Sequence, residues 1–111
     1  MSRKYTTAFM LTLALLAGCA PSKQEFAVIV ETVQGSAKAR QLAMKECTAN
    51  WTPQQRKEAS IVIDSSEKDA PRLVCSRFVE AIRAGRVDYN DAVDIRRKNW
   101  TPKLVRIFQG R

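Results

Sequence analysis

The chain reads as all-α: a small bundle of four or five short helices with one disulfide. Three observations lead there. Val74, Cys75, Phe78, Val79 and Ile82 recur at the spacing of one helix face, the strongest amphipathic pattern in the sequence. Apolar segments are cut by a capping residue followed by proline, at Thr52-Pro53 and again at Thr101-Pro102, a pairing that starts a new helix. Two of the three cysteines, Cys47 and Cys75, fall on the apolar faces of such segments.

Each element follows from local chemistry. Ser22-Lys23-Gln24-Glu25 matches a capping box, and Phe26, Ile29, Val30 and Val33 follow at helical spacing. The β-branched run Val28-Ile29-Val30 leaves a strand as the competing reading of residues 26–33. Gly35-Ser36 breaks the segment, and Ser36 caps a second helix reaching Asn50 with Leu42, Ala43 and Cys47 on its inner side. In Asn50-Trp51-Thr52-Pro53, Asn50 tolerates a left-handed terminus. Thr52 then caps, and Pro53 takes the first helical position, where its missing N–H costs nothing. Gln55 completes a Thr-x-x-Gln box for a helix reaching about Ile63.

Asp64-Ser65-Ser66 is a polar turn, after which either Ser66 or Asp69 caps the fourth helix; Pro71 lies in its first turn and Gly85 stops it. Asp88-Tyr89-Asn90-Asp91 opens a shorter helix reaching about Lys98, with Ala92, Val93 and Ile95 inward. Asn99-Trp100-Thr101-Pro102 then repeats the earlier tetrapeptide letter for letter. The flanking residues do not align, so this is the same helix break used twice rather than a duplication, with Trp100 placed to staple against Val105. The last turns, residues 103 to about 108, set Leu104, Ile107 and Phe108 against Lys103 and Arg106.

Upstream, Arg3 and Lys4 precede the apolar run Phe9-Met10-Leu11-Thr12-Leu13-Ala14-Leu15-Leu16 and the small residues Ala17 and Gly18. These are the three parts of a secretory signal. The apolar stretch of about fifteen residues is shorter than the roughly twenty a spanning helix needs. Leu16-Ala17-Gly18-Cys19 resembles the lipobox of bacterial lipoprotein signals, a Leu, two small residues and Cys; the resemblance covers the signal alone. It implies a diacylglyceryl thioether on Cys19, cleavage before it, and an acyl chain such as palmitate on the new amino group. A single acyl chain binds only marginally, at about 0.8 kcal/mol per buried methylene, so two or three chains on one cysteine make a permanent anchor. In diderm families carrying such signals, Ala20 rather than Asp after the cysteine favours the outer membrane over the inner. Ordinary cleavage after Ala20 is the alternative. The expected organisation is a cleaved signal over residues 1–18, a lipid-anchored tether over 19–24, and one helical domain with a basic C-terminal end over 25–111.

The formal net charge is +8, and removing Arg3 and Lys4 with the signal leaves 17 basic against 11 acidic residues, a net +6. A core of this size is marginal without a staple. With Cys19 lipidated, Cys47 and Cys75 in an oxidising compartment read as a disulfide, with two buried free thiols as the alternative. Closing a loop of about 29 residues would stabilise the fold by roughly 3.5 kcal/mol.

The chain contains no histidine, which removes Ser-His-Asp and Cys-His nucleophiles and most zinc sites. No metal or cofactor is expected beyond the covalent lipid. Asp88, Asp91 and Asp94 recur every three residues and offer the best acid/base or cation cluster, although acids at a helix start are ordinarily solvated partners of its dipole. From residue 96 to 111 there are six basic residues (Arg96, Arg97, Lys98, Lys103, Arg106 and Arg111) and no acid, with Trp100 and Phe108 interleaved. That end suits anionic lipid, an acidic protein or a polyanion, or it is a solvated tail whose apolar residues close the core. The expected function is a non-enzymatic, lipid-anchored envelope module facing the periplasm, with an envelope protein or polymer as partner and no nucleic acid. The alternative is an anchored inhibitor or exclusion factor acting on an acidic protein or a secretion apparatus.

Overall fold

A computed structural model describes residues 21–111; residues 1–18, expected to be a cleaved signal, and Cys19 lie outside them. Among the described residues six helices follow one another: α1 (Lys23–Gly35), α2 (Ala37–Thr48), α3 (Pro53–Ile63), α4 (Ala70–Arg83), α5 (Tyr89–Arg96) and α6 (Pro102–Phe108). There is no strand among the described residues. The last turns form a helix of their own, which takes the count to six, and α1 begins at Lys23, inside the stretch expected to be tether.

Segment 26–33 is helical because its apolar residues repeat with a helix period: Phe26, Ile29 and Val33 are buried on one side. Burial of that stripe overrides the β-branched preference. Ser22 Oγ accepts the Glu25 N–H at 3.1 Å, the first half of the expected box. Ser36, in an extended conformation, ends α1 and caps α2 by accepting the Ala39 N–H at 3.0 Å. Arg40 closes the end of α1 by donating to the carbonyls of Val33 at 2.7 Å and Gln34 at 3.2 Å.

At α3 the full capping box forms: Thr52 Oγ1 accepts from Gln55 N–H at 3.1 Å and Gln55 Oε1 accepts from Thr52 N–H at 3.0 Å. Of the two candidates before α4, Ser66 supplies the side-chain bond, accepting the Asp69 N–H at 3.1 Å, while Asp69 occupies the cap position without a side-chain bond of its own. Gly85 stops α4 with φ +75°, which glycine adopts without a Cβ penalty. Bonds from Gly85 N–H to Ile82 O and from Arg86 N–H to Ala81 O close that end in a Schellman arrangement.

Helix α4 is the centre: it packs on α1, α2, α3 and α6, while α1 also touches α2 and α5, and α3 touches α6. Phe26, Ile29, Val33, Phe78, Val79, Ile82, Ala92 and Ile107 are buried together. The Cys47–Cys75 disulfide ties α2 to α4 across a Cα separation of 5.9 Å. Cys75 is fully buried. Leu42, expected on the inner side of α2, is instead exposed, and Ala43 takes the buried position beside it.

Candidate functional site

The basic end begins where α5 stops. Arg96 is the last helical residue, Arg97 the cap, and Lys98 follows with φ +57°. Lys98 N–H bonds Ile95 O at 3.0 Å and Asn99 N–H bonds Asp94 O at 2.8 Å, so this Schellman closure is built without glycine. Arg96, Arg97 and Lys98 are thereby exposed on one tight turn. Trp100 comes next and is 55% exposed. Its ring meets Phe108 edge-on at a centroid distance of 6.0 Å, and Phe108 in turn lies 6.0 Å from Phe78 of the core. Arg106 is exposed on α6. Among the described residues, none of Arg96, Arg97, Lys98 and Arg106 forms an ion pair.

The other two members of the expected basic surface are engaged differently. Lys103 Nζ lies 2.6 Å from Asp91 Oδ2 and 3.7 Å from Asp88 Oδ2. Arg111 donates through Nε and Nη2 to Gln109 Oε1 at 3.1 and 2.7 Å. Its main-chain oxygen accepts from Arg86 Nη2 at 2.8 Å. The accessible cationic surface therefore centres on Arg96, Arg97 and Lys98, with Arg106 nearby in sequence.

The aspartates resolve into separate tasks. Asp88 caps α5: its Oδ1 accepts the Asp91 N–H at 2.8 Å, and Asp91 Oδ2 returns the favour to Asp88 N–H at 2.9 Å. Asp91 is buried, at 5% exposure, with the Lys103 ammonium as its counter-charge, so it is not the solvated helix-start acid that the spacing suggested. Asp94 stands apart and accepts from Asn99 Nδ2 at 3.1 Å. Hydrogen bonding from the Asp91 backbone, with Lys103 close by, holds the Asp88 carboxyl below the usual range. The Asp91 carboxylate holds the Lys103 ammonium above its ordinary value. The three acids do not converge on one point, and no group of three potential metal-ligating side chains occurs among the described residues.

Two arginines outside the predicted surface shape this end of the molecule. Arg77 Nη1 donates to Phe108 O at 2.8 Å, and Arg86 holds the oxygen of Arg111. Gly110, at φ +79°, lets the last turn pass so close that a Cβ would stand 3.0 Å from Arg77 Nε. Gln109 Nε2 also donates to Val62 O at 2.9 Å, joining α6 to the end of α3. These bonds span 25 to 47 residues, and no local pattern in the sequence announces them.

Comparison with known proteins adds no relative: no family model, curated protein or solved structure matches the chain. No helix among the described residues is long and apolar enough to cross a membrane.

Proposed function

We propose that the protein is a non-enzymatic lipoprotein of the cell envelope, lipidated on Cys19, facing the periplasm from the outer membrane and presenting its helical domain to an envelope protein or polymer. The observation that carries the reading is Leu16-Ala17-Gly18-Cys19 at the end of a short apolar run that follows Arg3 and Lys4. Only Ala20, Pro21 and Ser22 separate Cys19 from α1. A lipid on that cysteine would therefore hold the bundle against the bilayer with little slack. The Cys47–Cys75 disulfide fits a compartment that is oxidising. Ala20 after the cysteine supports the outer membrane in a diderm host. The non-enzymatic part rests on the aspartates: Asp88 and Asp91 are occupied by capping and by Lys103, and Asp94 accepts from Asn99 apart from them.

The reading is tested by Cys19→Ser, fractionated beside the unmodified chain. Loss of acyl-chain labelling together with release from the membrane fraction is expected. Persistent labelling, or unchanged membrane association of the variant, would overturn it.

A further inference from the structure

The turn between α5 and α6 places Arg96, Arg97 and Lys98 beside Trp100, all exposed, in a stretch from residue 96 to 111 that holds no acid. None of the three cations has a carboxylate partner among the described residues, in contrast to Lys103 two residues past the turn's threonine. Nothing in the packing of the core requires an exposed indole here: Phe108 already reaches the core through Phe78, and Trp100 lies on its outer side with more than half its surface open. An amphipathic ring among cations matches the chemistry of a bilayer interface, where tryptophan sits at the headgroup level and basic side chains meet phosphates.

The turn is also within reach of the anchored end. The first residue of α5, Tyr89, touches the start of α1: its ring lies 6.1 Å from that of Phe26, and Lys23 Nζ stands 6.0 Å from its centre. Helix α5 has eight residues and so is about 12 Å long, which sets the basic turn one short helix away from the start of α1.

We infer that this turn is a second membrane contact, with Trp100 seated in the headgroup region of an anionic phospholipid surface and Arg96, Arg97 and Lys98 on the lipid phosphates. A second copy of the chain is disfavoured by like charge. Lipid is favoured over a soluble acidic partner because the anchor keeps this surface beside the bilayer at high effective concentration. The contact works with the anchor: lipid tethers the chain at residue 19, and the turn fixes how the bundle lies.

The inference rests on the lipoprotein reading for its setting, and the test separates the two by leaving out the lipid. Residues 21–111, which close their own core, are mixed with vesicles of phosphatidylcholine alone and of equal parts phosphatidylcholine and phosphatidylglycerol. Binding to the anionic vesicles only is expected, weakening as salt is raised and falling at least about tenfold in Arg96→Glu/Arg97→Glu. Tryptophan emission should shift to the blue on binding and fail to do so in Trp100→Phe, since the remaining Trp51 is half-buried and bonded to Cys47. Absent binding, equal binding to neutral vesicles, or charge reversal without effect would each overturn the inference. So would equally strong binding to soluble polyglutamate with no blue shift, which would assign the turn to an acidic polymer. Should the double variant fold poorly, the salt titration and the Trp100→Phe arm decide the matter with the charges intact.

Discussion

At the first Asn-Trp-Thr-Pro, residues 50–53, the indole of Trp51 donates to the carbonyl of Cys47 at 2.6 Å. The main-chain oxygen of Trp51 accepts from Arg56 Nη1 at 2.7 Å. At the second, residues 99–102, Trp100 lies on Phe108 and faces solvent. The left-handed residue differs too: Asn50 at φ +62° in the first, but Lys98, one position before Asn99, at φ +57° in the second. Both threonines cap, yet Thr52 is answered by Gln55 in a reciprocal box, while the matching position after Thr101 is Leu104, which turns into the core. Four identical letters thus fix a helix start and leave the tryptophan to its surroundings. Cys47 is pinned to α4 by the disulfide, so its carbonyl is a fixed target for Trp51; the turn before Trp100 is exposed and offers cations instead.

This contrast can be broken at several points. The largest effect is expected from removing the staple beneath the first copy. Cys47→Ala/Cys75→Ala should lower the unfolding free energy by roughly 3 kcal/mol, read by urea denaturation, and reduction of the unmodified chain should reproduce it. A loss under about 1 kcal/mol would show that the bridge is incidental to the fold.

Next comes the ion pair that holds α5 to α6. Lys103→Met leaves the buried Asp91 carboxylate without its counter-charge. Removing one partner of a buried pair costs about 3–5 kcal/mol, but the Lys103 side chain is 43% exposed and water screens part of the loss. A cost of about 1–2 kcal/mol is expected, with Asp91→Asn/Lys103→Met recovering some of it. The two tryptophans give the sharpest pairing. Trp51→Phe removes a hydrogen bond and should cost about 1 kcal/mol, whereas Trp100→Phe should change stability by less than about 0.5 kcal/mol. Equal costs would erase the distinction between the two copies.

The smallest effect is on pH dependence. Asp88 is held below its unfolded value, so its contribution is present above about pH 3.9 and lost as pH falls through the folded value. Lys103 is held above its unfolded value, so its contribution is complete below about pH 10.4 and lost as pH rises through the folded one. Urea midpoints should show both limbs, and Asp88→Asn should flatten the acid limb most, with a smaller loss on the alkaline limb because Asp88 also supports the Lys103 ammonium behind Asp91.

Helix starts were legible because a cap is written within four residues: Ser22, Ser36, Thr52, Asp88 and Thr101 each accept the expected backbone N–H. The disulfide was legible from two cysteines on apolar faces. What lay beyond reading was whatever the fold brings from afar. Lys103 looked like one more cation of a basic tail, because the buried Asp91 that claims it lies 12 residues away on another helix. Leu42 looked buried because two neighbouring positions satisfy the same period, and only packing against α4 selects Ala43. Arg77 and Arg86 gave no sign that they would hold the final turn. For the basic surface, the sequence supplied the charges and the structure showed which remain unpaired.

The proposal of an exported, lipid-anchored bundle stapled once meets its sharpest test in the intact mass of the membrane-extracted protein before and after reduction. A chain beginning at Cys19, heavier by its acyl groups and gaining two hydrogens on reduction, is the predicted result. An unmodified chain beginning at Pro21, or a full-length one, would contradict the anchor, and a mass unchanged by reduction would contradict the staple.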